Sequence, residues 1–179
     1  MANTPSSTGF GIPGSDARLS HLDESGSVRM VDISHKNLSA RSATAYGRVR
    51  LGEHAFALLS AQDNAKGEVL TTAHIAGIQA AKRCAELIPL CHSLPLAVVT
   101  IEFTIDAPNS SVIIHATCKT THGTGVEMEA MTACSVAALT IYDMCKAADK
   151  GIVIETLRLL HKSGGKSGEW HATEESAHD

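Results

Sequence analysis

The stretch "TAYGRVRL" (44–51) alternates Ala45, Gly47, Val49 and Leu51 with Thr44, Tyr46, Arg48 and Arg50. A period of two predicts a strand with one face buried. "GEHAFALLSA" (52–61) fits a short helix, and residues 64–67 fit a turn. Residues 69–87 are Ala-rich and fit a longer helix, which Pro89 limits because a proline pushes its predecessor out of the helical region. "LAVVTIEFTIDA" (96–107) and "SVIIHATCKTT" (111–121) are β-branched runs joined by Pro108-Asn109-Ser110, the signature of a hairpin. Residues 126–148 carry the longest helical pattern, and "GIVIETLRLLHK" (151–162) predicts a final strand. The order β-α-α-β-β-α-β is the split βαβ pattern. It predicts an α+β domain with a four-stranded antiparallel sheet and helices on one face.

The ends lack this periodicity. Residues 1–28 are rich in Ser, Gly, Thr and Pro and are expected to be a disordered extension. Residues 29–168 then make the folded domain, and 169–179 a polar tail. The 179 residues suffice for one domain, and 44% hydrophobic content supports a core. Aromatics are only 3%, so that core must be built from Ala, Val, Ile, Leu and Met. The net charge of −4 argues against a protein that mainly grips nucleic acid. A ferredoxin-like RNA-binding module would need stacking aromatics on its central strands, where Phe103 stands alone. Five cysteines without a C-x-x-C pair suit a reducing cytoplasm. No signal-peptide run or membrane-length apolar stretch is present in the sequence.

Candidate chemistry begins near the C-terminus, where "LLHKSGGKSGEW" contains the Gly-Lys-Ser ending of a P-loop. Leu160 occupies the position of the required first glycine, and too little chain follows to form the phosphate-holding helix. The stretch is therefore not a P-loop, yet Lys162 and Lys166 stand among Gly164, Gly165 and Gly168. In the long helical pattern Glu129, Thr132, Ser135, Asp143 and Lys146 share one stripe. An ordinary solvated face accounts for such a stripe, but residues 130–142 carry no charge at all. Asp143 and Lys146, three apart, can meet. As an isolated surface pair they contribute roughly a few tenths of a kcal/mol. Near other lysines, Lys146 can be pushed toward a lower pKa, as suits proton transfer near neutral pH. Glu127 and Glu129 lie in the first turn, where the helix dipole favours negative charge, so a cap explains one of them. Fourteen residues separate Glu129 from Asp143, about 21 Å at ~1.5 Å per residue. One small reacting centre cannot touch both within one chain. Either only one end is the site or the matching end of another chain completes it, and a helix this apolar, which wants more cover than one small sheet gives, favours the second. In "LIPLCHSLPL" (87–96), Cys91 and His92 are adjacent. Adjacent residues rarely ligate one zinc, and adjacency supplies no base for a thiol nucleophile. Cys91 therefore reads as packing and His92 as an anion or hydrogen-bond contact. Lys66 reads as a turn lysine.

Four segments together carry a resemblance: "MVDISHKNLSARSA" (30–43), "KGEVLTTAHIAGIQAAKRCAELIPLCHSLPL" (66–96), "TGVEMEAMTACSVAALTIYDMCKA" (124–147) and "LLHKSGGKSG" (159–168). They closely resemble the molybdenum cofactor biosynthesis protein C family, the cyclic pyranopterin monophosphate synthases. The resemblance implies a ferredoxin-like subunit in a cytoplasmic homohexamer, a trimer of dimers with active sites at subunit contacts. The implied substrate is 3′,8-cyclo-7,8-dihydroguanosine 5′-triphosphate, supplied by a radical S-adenosylmethionine enzyme. The products are cyclic pyranopterin monophosphate and pyrophosphate. Asp143, Lys146 and Lys66 fall on catalytic positions. Leu90, Cys91, His92, Met128, Glu129, Lys162 and Arg41 fall on substrate-binding segments. The chain departs from the family form at His74, where Arg is expected, and at Ser93, where Pro is common. No cofactor and no dedicated protein metal site is expected. A divalent ion such as Mg can accompany the triphosphate.

Overall fold

The computed structural model describes residues 20–23, 25–61 and 68–173. The chain divides into two compact units, Met1–Val31 and Asp32–Asp179. In the first, Leu22 and Val28 form an isolated antiparallel bridge. The Asp23 carboxylate closes the turn between them by accepting from the Ser25 and Ser27 N–H groups, each at 2.9 Å. The expectation of disorder over 1–28 thus gives way to a hydrogen-bonded turn in its last part, while residues 1–19 and 24 lie outside the described residues.

The second unit holds β1 (Ser39–Arg50), α1 (Glu53–Ser60), α2 (Val69–Lys82), α3 (Cys84–Leu87), β2 (Val98–Asp106), β3 (Ser111–His122), α4 (Glu127–Cys145), β4 (Val153–Ser163) and β5 (Trp170–His171). The sheet order is β2-β3-β1-β4-β5, and every pairing is antiparallel. The α+β class and the antiparallel sheet are as expected, but the sheet has five strands, not four. The fifth comes from the expected polar tail: Trp170 and His171 pair with Lys162 and His161. Two residues are too short a run to show a period of two. Residues 174–179 lie outside the described residues.

Two boundaries also move. The first strand starts at Ser39, because Ser39–Ala43 pair with His122 through Cys118 although the stretch has no β-branched or aromatic side chain. The expected helix over 69–87 breaks at Arg83, whose φ of −109° and ψ of 14° leave the helical region. Cys84, just past the break, continues the buried stripe of Val69, Ala73, Gly77 and Ala80 and is 1% exposed. The hairpin stands where expected: Ser110 takes a left-handed φ of 48°, and the Asn109 amide donates to both Asp106 carboxylate oxygens.

Alternation along β1 buries Ala43, Ala45, Gly47 and Val49 and leaves Thr44, Tyr46 and Arg48 half-buried. β3 does the same with Val112, Ile114, Ala116 and Cys118. Helix α4 lies across this buried face and α2 packs on α4. The contact between them is made of small residues, Ala73, Gly77, Ala80 and Ala81 with Ala130, Ala133 and Ala137, which lets the helix backbones approach closely. A Cβ on Gly77 would come within 2.9 Å of the Ala133 carbonyl and collide with Ile101. With few aromatics, the core gains its density from this close approach.

Candidate active site

The two ends of α4 carry different chemistry. At the first end no side chain caps the helix, so the sequence expectation that an acid caps it is corrected. Glu127 instead accepts a 3.0 Å bond from the Lys162 ammonium on β4. Glu129 points inward and is 4% exposed. Burial pushes its carboxyl above the ordinary range, and the charge of Glu127 adds to the rise. Cys84 lies 3.5 Å from the Thr132 hydroxyl, one turn along α4. Cys91, in the loop after α3, meets Cys84 and feels the charge of Glu129. Burial first, then Glu129, raises the Cys91 thiol. Burial pushes Cys84 up to about 12. Raised pKa values disfavour the thiolate, the reactive form of a cysteine, at both positions. Leu90 and His92 are half-buried on either side of it, and Met128 is exposed on α4.

Arg41, on the same face of β1 as Ala43, donates from Nε to the His122 carbonyl at 3.4 Å. Its guanidinium runs under the glycine loop after β4. A Cβ on Gly165 would collide with Arg41 Nη1, and one on Gly164 with the Ala40 carbonyl. Both glycines also take positive φ, 96° and 77°, so glycine is required there for space and for conformation. Arg41, Lys162 and the N-terminus of α4 thus gather positive potential around Glu127 and Glu129. His122, in the "HGTG" run before α4, has a buried Nδ1 without a hydrogen-bond partner among the described residues. The sequence offered no signal for His122, which stands outside the segments that carry the resemblance. Cys84 was missed as a neighbour of Thr132 because the packing of one helix on another, not spacing along the chain, brings them together.

At the other end, the Lys146 ammonium donates to Asp143 at 2.5 Å. Both are open to solvent, with side-chain exposures of 51% and 64%. The hydrogen bond and charge of Asp143 raise the Lys146 pKa, which corrects the expectation of a lowered one. In this single chain the dominant neighbour of Lys146 is an anion, and the slight burial of the ammonium, which acts the other way, is outweighed. Lys66 lies outside the described residues. The structure therefore brings Glu129, Cys91, His92, Lys162 and Arg41 to one end of α4 and leaves Asp143 with Lys146 at the other. Of the departures from the family form, His74 is half-buried on α2 and Ser93 is exposed.

An α+β chain with a phosphate-suited, cation-rich helix end and a distant acid–lysine pair fits an enzyme acting on an anionic metabolite. Residues 30–165 match the model of the MoaC family. Cyclic pyranopterin monophosphate synthase of Bordetella pertussis (strain Tohama I) is 67% identical over 152 residues, covering 85% of this chain and 94% of the relative. The protein of the same name from Chloroflexus aggregans is 52% identical over 166 residues, 93% of this chain and 100% of the relative. The one from Nocardioides sp. is 53% identical over 157 residues, 87% and 96%. The chain belongs to the MoaC family. Among the described residues, no helix is long and apolar enough to cross a membrane.

Proposed function

We propose that the chain is a cyclic pyranopterin monophosphate synthase of molybdenum cofactor biosynthesis. It converts 3′,8-cyclo-7,8-dihydroguanosine 5′-triphosphate into cyclic pyranopterin monophosphate and pyrophosphate. The observation that carries the reading is the division of labour along α4: binding groups at one end, a proton-transfer pair at the other. A second chain must bring the Asp143 end of its own α4 to the Glu129 end of the first. This favours sites at subunit contacts, in an assembly we read as a homohexamer of the cytoplasm. The strand order β2-β3-β1-β4 supports the ferredoxin-like description of the subunit. A radical S-adenosylmethionine enzyme would supply the substrate, and a divalent ion such as Mg can accompany its triphosphate.

The reaction opens the purine's five-membered ring with water, recloses the pieces as a pterin, and lets a ribose hydroxyl attack the α-phosphate. Pyrophosphate leaves with the bridging oxygen. Each stage moves protons and develops charge on phosphate oxygens. Lys162 and Arg41 meet the phosphates, with Lys162 exchanging its bond to Glu127 for one to substrate. Leu90, Met128 and His92 hold the base and sugar, and the buried Glu129 offers a hydrogen bond to the base. Lys146, held by Asp143, and Lys66 carry protons once the second chain has excluded water. Incubation with the cyclic dihydro-GTP, followed by pyrophosphate release and pterin fluorescence, tests the reading. Pyrophosphate and pterin in equal amounts are expected. Neither product, from protein shown to be folded, would overturn it.

A further inference from the structure

The β4–β5 hairpin places three good metal donors together on the side of the sheet away from Lys162. Lys162 opposes Ala43, whose side chain is in the core, whereas His161 opposes half-buried Thr44. Successive side chains of a strand point to opposite faces. His161 therefore lies across the sheet from the Lys162–Glu127 pair. His171 sits directly opposite His161 in the ladder, and the two rings lie 4.4 Å apart between centroids. Glu169 completes the group. Its Oε1 is 2.9 Å from His161 Nε2 and 3.2 Å from His171 Nε2. One atom from each of the three residues lies within 4.8 Å of the others.

We propose that His161, Glu169 and His171 form a binding site for a borderline divalent transition-metal ion of the zinc or nickel class. Metal bonds of about 2.0–2.2 Å to imidazole nitrogen and carboxylate oxygen set donor–donor edges of about 3 Å. The two His–Glu separations are already of that size, and the His–His separation is within 4.8 Å, so the two rings close on an ion while Glu169 stays in place. Two imidazoles and a carboxylate favour zinc, nickel or copper over magnesium or calcium, which take oxygen donors. Glu169 and His171 are mostly exposed, at 64% and 67%, so water fills the remaining positions. The backbone presets the group. Gly164, Gly165 and Gly168 take positive φ to turn the chain back, Gly168 N–H donates to the Gly165 carbonyl, and Ala172 N–H donates to Leu160 at 2.8 Å. A bound ion clips the loop that carries Lys166 to the end of β4. The site differs from the ion that can accompany a triphosphate, because its donors lie on the other sheet face from Lys162.

The test is calorimetric titration of untagged, chelator-treated full-length protein with zinc chloride. It is run on the wild type, His171→Asn, Glu169→Gln and, as a control, His54→Asn on exposed α1. One tight equivalent per chain is expected in the wild type and in His54→Asn, and at least a tenfold weaker one in the other two variants. Excess magnesium should leave the zinc isotherm unchanged. Cobalt should give a visible ligand-field band in the wild type that His171→Asn loses. Absence of a tight equivalent in the wild type would overturn the proposal. So would equal affinity in all four proteins, which would put the ion on other histidines. Both substituted side chains are exposed, and Glu169→Gln tests the site independently of any effect of His171→Asn on the hairpin.

Discussion

The two ends of helix α4 both carry charged side chains, yet they differ in their exposure to solvent. At the first end, Glu129 is almost fully enclosed and its carboxyl is driven toward the neutral form. At the last, Asp143 and Lys146 face water and form an ordinary i,i+3 pair. The buried end is already shaped within one chain, with the Cys91 loop, Lys162 and Arg41 around it. The exposed end has its reacting groups but lacks the dry surroundings that give such groups catalytic force. In water an ion pair of this kind contributes roughly 0.2–1 kcal/mol. Enclosed in a site, the same charges act far more strongly. A residue's chemistry is therefore legible only together with what covers it, and the proposed function has a second chain cover Asp143.

The largest expected effect comes from the exposed end. Asp143→Asn keeps the shape and removes the charge that holds Lys146. Turnover should fall by about a hundredfold or more, with the assembly unchanged by light scattering. A wild-type rate in this variant would show that the exposed end takes no part in the reaction.

A middle-sized effect is expected in binding at the cation-rich end. Lys162→Ala should weaken calorimetric affinity for the triphosphate about tenfold, the scale of one charge-assisted hydrogen bond. The loss should be smaller for a ligand trimmed of its outer phosphates and should shrink in added salt. Equal losses for both ligands would show that Lys162 shapes the loop and does not read phosphate.

The smallest effect is in stability, and it runs the other way from activity. The Glu129 pKa is raised in the fold, so its ionisation opposes folding. Its destabilising contribution is absent below the unfolded-state pKa, grows as pH rises through the window up to the folded-state pKa, and persists above it. Glu129→Gln removes that penalty. At neutral pH it should be more stable by about 1 kcal/mol, which raises Tm by about 2–4 °C in a chain of this size. Activity should nevertheless be lost. A Tm gain that persists unchanged well below the carboxylate range would refute the burial account of Glu129.

How far these features could be read in advance depended on their physical range. Periodicity exposed β1, β3 and α4, because each buries a long face against the others. It could not expose β5, since two residues carry no period, nor the break at Arg83, where no proline or glycine marks it. The stripe from Glu129 to Lys146 was visible, and the resemblance assigned roles to its two ends. The meeting of Cys84 with Thr132, the run of Arg41 beneath Gly165, and the gathering of His161, Glu169 and His171 were not legible. Each joins residues through helix packing, a turn or a strand pairing, and spacing along the chain encodes none of these. The expected fall in the Lys146 pKa failed for a related reason: it presumed neighbouring cations that one chain does not supply.

The central claim is that each reacting centre joins the Glu129 end of one α4 to the Asp143 end of another. Mixing the inactive Glu129→Gln and Asp143→Asn proteins, with subunit exchange followed by native mass spectrometry, tests it directly. In a two-fold contact, each mixed pair holds one site with both residues intact and one with both altered. Random exchange should therefore restore activity to about a quarter of the wild-type level, because half the contacts are mixed. Complete exchange with no activity above that of the parent variants would contradict the shared site.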